Sequence, residues 1–172
     1  RRSPDPKSGS IDPIQAEVVA RFLLATAEEM GATLMRTAFS PNIKERADCS
    51  TAIFDRAGQV IALAQRVPIH LGSMVGAVDE ILKRYSESEI RPGDMFLAND
   101  PYNGGGTHLP DINVIAPVFI GKRIAAYVAN IAHHADVGGG LVCLVRNMDP
   151  ERVGHRTRIG PEALAGLQPG HV

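Results

Sequence analysis

Tryptophan is missing from this 172-residue chain, cysteine occurs twice, and aromatic residues make up only 5% of it. The two thiols, Cys49 and Cys143, are far apart and have no paired spacing, which excludes a disulfide framework and a cysteine-based zinc knuckle. Both are read as free thiols. Charge of either sign is also in no excess: the formal net charge is -1, so there is no electrostatic footprint for nucleic acid or an anionic membrane. No apolar run approaches the roughly 20 residues that span a bilayer, and the opening Ser/Pro/Lys stretch is not a signal peptide. A cytoplasmic protein with a small-molecule or protein partner is expected. Gly104-Gly105-Gly106 lacks the Lys-Ser/Thr of a phosphate loop, and Gly138-Gly139-Gly140 opens no helix. No Gly-x-Ser-x-Gly elbow occurs and Cys49 has no base beside it in sequence, which leaves a covalent nucleophile unsupported.

What the chain has is glycine (17) and proline (12), crowded between Arg91 and Gly140, and histidine and carboxylate set among them. Asn99-Asp100-Pro101-Tyr102 leads into Gly106-Thr107-His108-Leu109-Pro110-Asp111, and His133-His134-Ala135-Asp136 follows two dozen residues later. Between these loops Ile112 to Phe119 and Ile124 to Ile131 are β-prone runs that meet at Gly121-Lys122, a hairpin turn. With the turn centred between 121 and 122, Asp111 is expected opposite Ala132, which carries His108 close to the segment from His133 to Asp136. Directly opposed residues lie about 5 Å apart, within reach of a shared ion.

The remaining pattern is scaffold. Residues 1–10 form a polar leader, expected to be disordered. Asp12-Pro13-Ile14-Gln15 is a helix start, with Asp12 as cap, proline at the first helical position and Gln15 placed for a capping box. Ile14, Val18, Phe22 and Ala25, flanked by Val19, Leu23, Met30 and Leu34, predict a wide buried stripe on one long helix that ends before Ser40-Pro41. Thr26 interrupts the stripe, and Gly31 weakens the helix by ~1 kcal/mol relative to alanine. Cys49 to Phe54 and Gln59 to Leu63 flank Asp55-Arg56-Ala57-Gly58 as a second hairpin. Met74, Val78, Ile81 and Tyr85 predict a helix over 73–86, and Arg91-Pro92-Gly93-Asp94 delivers a short strand, Met95 to Ala98. Alternating helices and hairpins favour an α+β fold with an antiparallel sheet over a doubly wound parallel one.

His108 and Asp111 straddle a Leu-Pro pair that bends the chain, and His133 lies at the far end of the partner strand. These three are the candidate metal ligands. Two imidazoles with carboxylates suit Zn²⁺, Mn²⁺ or Fe²⁺, with mixed N/O ligation leaning to Mn or Fe where water completes an octahedron. Asp136, His134 and Asp100 are the candidate catalytic groups. Consecutive residues leave a strand on opposite faces, so only one of His133 and His134 can face the same ion. Asp136 has the alternative role of orienting a ligating imidazole, and Asp100 that of making an Asx turn. His70 and His155 read as hydrogen-bonding loop residues, and the run from Lys44 to Ser50 as a charged loop.

Glu45-Arg46-x-Asp48-x-Ser50 with Ile53-Phe54-Asp55, Pro68-x-His70-Leu71-Gly72-Ser73-Met74, Pro92-Gly93-Asp94, Asn99-Asp100-Pro101-Tyr102, Gly105-Gly106-Thr107-His108-Leu109-Pro110-Asp111 and His133-His134-x-Asp136-x-Gly138-Gly139 together resemble the hydantoinase B family over residues 11–140. That family includes N-methylhydantoinase B subunits, a region of ATP-dependent 5-oxoprolinase, and acetone and acetophenone carboxylase large subunits. The resemblance implies a subunit that completes hydrolysis of a cyclic amide, a hydantoin or 5-oxoproline, after a hydantoinase A-type partner has used ATP to activate the substrate oxygen. The carboxylase branch, acting on a ketone, is the alternative. A non-catalytic assembly fragment is a second one. The resemblance also implies a divalent metal, manganese first with zinc or iron as substitutes, held by Glu45, His108, Asp111 and His133. Residues 141–172 are expected to be a divergent, disordered tail, and the chain is expected to be a truncated fragment that is inactive alone.

Overall fold

The computed structural model describes residues 12–64, 66–102 and 107–135, and the backbone of 144–147. The leader, the tail beyond 147, Cys143, His155 and Asp136 lie outside the described residues. The chain runs α1 (Pro13–Thr37), α2 (Pro41–Lys44), β1 (Cys49–Asp55), β2 (Val60–Ala64), α3 (Ile69–Arg84), β3 (Met95–Ala98), β4 (Asp111–Ile120), β5 (Arg123–His133) and β6 (Leu144–Asn147). The strands form one sheet in the order β2-β1-β5-β4-β3-β6, every neighbouring pair antiparallel, so the fold is α+β as the pattern predicts. β6 falls in a segment for which the sequence alone predicts no regular element.

Side chains alternate between the two faces of the sheet. On one face Ala52, Phe54, Phe96, Ile115, Tyr127, Ala129 and Ile131 pack under Met74, Ala77, Val78 and Ile81 of α3, forming the main core. On the other, Ile53 and Ala62 meet Ala27 of α1, and Cys49 and Ala132 meet Ile43 of α2. The Cys49 thiol is free and buried, and burial pushes its pKa up, which makes it an inert core group.

The α1 cap is as expected: Asp12 accepts from the Ile14 N–H at 3.1 Å, with Pro13 in the first turn. The buried stripe is not. Ile14, Val18, Val19 and Phe22 are 73, 62, 56 and 74% exposed, and the helix is buried at Ala27 and Gly31, with Leu23, Met30 and Leu34 beside them. Length is the reason: 25 residues make a helix about 37 Å long, whereas the 7 residues of β1 reach only about 23 Å. The amino-terminal half of α1 outruns β1 and β2, the short strands it packs against. Gly31 earns its place by close approach, because a Cβ there would stand 3.3 Å from the Thr51 hydroxyl, which donates to the Ala27 carbonyl at 2.6 Å.

Three further departures bear on the site. Pro41, read only as the end of α1, also opens the single turn α2, a position that proline's fixed φ favours. α3 starts at Ile69 directly after Pro68, four residues before the predicted start, so His70 is a buried helix residue and not a loop one. Asp111 pairs with His133 instead of Ala132. The turn at Gly121 is where it was expected, but an irregularity between Val118 and Phe119 leaves Ala125 as an extra residue on β5 and advances the register by one.

Candidate metal centre

The bulge brings Asp111 and His133, the first residue of β4 and the last of β5, directly opposite each other. Both stand on the face covered by α3. A turn closed by the Asp111 N–H on the His108 carbonyl (3.0 Å) brings His108 back over them, the bend that Leu109-Pro110 predicts. His108 Nε2 then lies 2.8 Å from His133 Nδ1 and 3.2 Å from Asp111 Oδ1, and His133 Nδ1 lies 2.9 Å from that same oxygen. The two imidazoles meet edge to face, with interplanar angle 85° and centroids 4.8 Å apart.

Protons cannot satisfy this triangle. Each ring nitrogen directs one lone pair or one proton along a single line, so if both imidazoles donate to Asp111 Oδ1 no proton is left for the 2.8 Å contact between the two nitrogens, and the three edges cannot all be hydrogen bonds. A single cation among them satisfies all three, and they are the group of metal-binding side chains found among the described residues. The three edges, 2.8 to 3.2 Å, also bear on geometry. At bond lengths of about 2.0–2.1 Å, adjacent donors are separated by about 2.9 Å in an octahedron and about 3.3 Å in a tetrahedron. The edges lie in the range of donors that share one ion, and the two imidazole nitrogens with a carboxylate oxygen therefore fit a divalent metal.

The surroundings hold the donors unequally. The Asp111 side chain is 3% exposed, His133 26% and His108 55%. The Thr107 hydroxyl donates to Asp111 Oδ2, which leaves Oδ1 for the imidazoles. The His133 N–H donates to the Asp48 carbonyl (3.0 Å), the His134 N–H to the Pro110 carbonyl (3.0 Å), and the Asn99 amide to the Leu109 carbonyl (3.1 Å). The base of the site is thus fixed on three segments, while the His108 side opens to solvent.

The other candidate residues lie apart from the triangle. Glu45 is the exposed residue that ends α2 and is not among the converging donors. His134 is half-buried just past β5, its pKa lowered by burial and then by the neighbouring His133. It is neutral near pH 7. Asp100 Oδ1 accepts from the Tyr102 N–H at 2.7 Å, an Asx turn. Sequence reasoning gave no role at the site to Thr107, Asp48, Ser50 or His70, although all four stand in the motifs that carry the family resemblance.

A family model described as Hydantoinase B/oxoprolinase matches residues 12–149. A 5-oxoprolinase of Pestalotiopsis fici is 46% identical over 133 residues, 75% of this chain and 10% of that protein. An ATP-dependent caprolactamase from Pseudomonas jessenii has a similar structure, with TM-score 0.63 and 28% identity over 77% of this chain and 23% of that one. A nucleotide-free acetone carboxylase shares the fold at TM-score 0.66 and 23% identity, over 72% of this chain and 16% of that one. This chain spans between 10% and 23% of the length of the first curated relatives it matches. On the extent of the family match and the likeness to these proteins, the chain belongs to the hydantoinase B/oxoprolinase family.

Proposed function

We propose that this chain carries the divalent-metal site of an ATP-dependent cyclic-amide hydrolase and works with an ATP-using A-type partner. The observation that carries the reading is the convergence of His108 Nε2, Asp111 Oδ1 and His133 Nδ1 in one solvent-open triangle. Mixed nitrogen and oxygen donors open to water support manganese or iron ahead of zinc. Glu45 is kept as a fourth ligand on the family resemblance. It lies three residues before Asp48, whose carbonyl holds the His133 N–H, so its loop is already tied to the end of the hairpin.

When bound, the metal would polarise a carbonyl or phosphorylated substrate oxygen and lower the pKa of a water. The chain's own residues prepare that chemistry. Asp111, buried and held through Oδ2, supplies fixed negative charge. His133 is set by its backbone bond, and His108 stands at the open side where substrate enters. His134, kept neutral by burial, is available to accept a proton, with Asp136 beside it in sequence and Asp100 shaping the loop before His108.

Hydrolysis of 5-oxoproline or a related lactam is favoured over carboxylation, since the 5-oxoprolinase likeness is one of sequence at 46% identity and the acetone carboxylase likeness is one of fold. Elemental analysis of the purified chain for Mn, Fe and Zn tests the metal site. Near-stoichiometric metal is expected in wild type and none in His108→Ala or His133→Ala, both still folded. Variants that keep their metal would end this reading. ATP-dependent release of glutamate from 5-oxoproline, with the A-type partner added, tests the reaction. A chain that binds the partner and metal without turnover would be an assembly fragment.

A further inference from the structure

Asp48, Ser50 and His70 take no part in the chemistry above, yet they form a connected group behind the converging donors. Ser50 and His70 are 1% and 2% exposed. Ser50 Oγ lies 3.1 Å from His70 Nδ1 and accepts from the backbone N–H groups of Arg66 (3.3 Å) and Val67 (3.5 Å). A hydroxyl has one proton and two lone pairs. With both lone pairs turned to backbone donors, its proton goes to His70 Nδ1. Nδ1 is then the acceptor, and the neutral ring carries its proton on Nε2, which faces Asp48 Oδ1 at 3.6 Å. Asp48 in turn takes the His133 N–H on its backbone carbonyl.

Serine, histidine and aspartate set in a row, with 3.1 Å and 3.6 Å between their polar atoms, invite comparison with a nucleophilic triad. The geometry rejects it: Ser50 is closed to solvent, its lone pairs are occupied, and its proton meets Nδ1 while the carboxylate meets Nε2. The Asp48 loop, by contrast, needs support. Ala47 has φ +54°, a left-handed conformation unfavourable for a residue with a Cβ, and such a turn persists where its surroundings hold it.

We infer that His70 is a positioning residue for the metal centre: by bracing Asp48 against Ser50 it holds the loop bearing Glu45, and the His133 backbone, in place opposite Asp111. The inference rests on the reading of His108, Asp111 and His133 as an ion site. It reaches α3, a helix that supplies none of the three converging donors, through the Asp48 loop.

The test uses the isotopically labelled full chain with His70→Leu, His70→Gln and Asp48→Ala. Without metal, the His133 amide in His70→Leu should exchange at least about tenfold faster, with Ala129 in the same strand unchanged. His70→Gln should restore protection, since glutamine places an N–H donor where Nε2 stood. Wild-type His70 should show the Nε2–H tautomer in its ring nitrogen shifts. With Mn²⁺, His70→Leu and Asp48→Ala should each weaken affinity by roughly 10–100-fold, and the double variant by no more than either alone. Wild-type exchange and affinity in folded His70→Leu, an Nδ1–H tautomer, or losses that add would each overturn the inference. Should His70→Leu fail to fold, Asp48→Ala, at a 34% exposed side chain, makes the same comparison. A wild-type chain that binds no Mn²⁺ would defeat the metal reading, and His133 exchange would still decide the role of His70.

Discussion

Burial lowers the pKa of His70 below its usual 6.5, and the facing carboxylates Asp111 and Asp48 only partly offset that. Above that usual value both the folded and the unfolded chain hold a neutral ring. As pH falls through it, the unfolded chain takes up a proton that the folded chain resists, so stability falls with acidification until the folded ring also protonates. One such group contributes a slope of up to about 1.4 kcal/mol per pH unit. His134, lowered by burial too, adds in the same direction. Urea unfolding between about pH 7.5 and 5.5 should show the loss, and His70→Gln should flatten it; an unchanged slope in that variant would remove His70 as the source. At this scale the sequence was readable where chemistry clustered along the chain. His108 and Asp111 three apart, with His133 at the other end of a hairpin, announced themselves. His70, Ser50 and Asp48 did not, because their partnership joins β1 to α3 across 20 residues and depends on burial that no local pattern encodes.

Among the elements, α1 separates periodicity from burial. An apolar stripe tells which face of a helix could be covered, and the length of the opposing sheet decides how much of it is. Phe22, at 74% exposure, should therefore tolerate alanine within about 0.5 kcal/mol, while Gly31→Val, which forces a side chain into Thr51 across a 3.3 Å gap, should cost about 1–3 kcal/mol. Urea midpoints of the two variants check this, and a large loss at Phe22 would mean that the face is covered in solution. Capping and turn chemistry were legible because they are local: Asp12-Pro13, Asp55 accepting from the Ala57 and Gln59 N–H groups, and Gly121 at φ +63° all do what their residue types favour. The bulge at Ala125 was hidden. It lies in the β4–β5 pairing, just beyond the last β1–β5 pair of Asp55 with Ala126, and a one-residue offset decides whether Asp111 faces Ala132 or His133.

For the whole molecule, the His133 N–H bond to the Asp48 carbonyl ties the open end of the β4–β5 hairpin, where the triangle sits, to the loop before β1, in a chain that spans 10% to 23% of the length of its first curated relatives. On the proposed function, holding an ion and turning over a substrate are separable properties, and the first rests on His108, Asp111 and His133, which this chain contains. No helix among the described residues is long and apolar enough to cross a membrane. An ion that binds the folded chain alone stabilises it by RT ln(1 + [L]/Kd), about 2.7 kcal/mol at a hundredfold excess over Kd. For a chain of this size that raises Tm by about 5–10 °C. Mn²⁺ should produce the shift in wild type and not in His133→Ala. Ca²⁺, which prefers six to eight oxygen donors, should produce little in either. A calcium shift equal to that of manganese would mean that the ion is held by surface carboxylates, whereas a manganese shift that vanishes with one imidazole would localise the binding energy to the end of the hairpin.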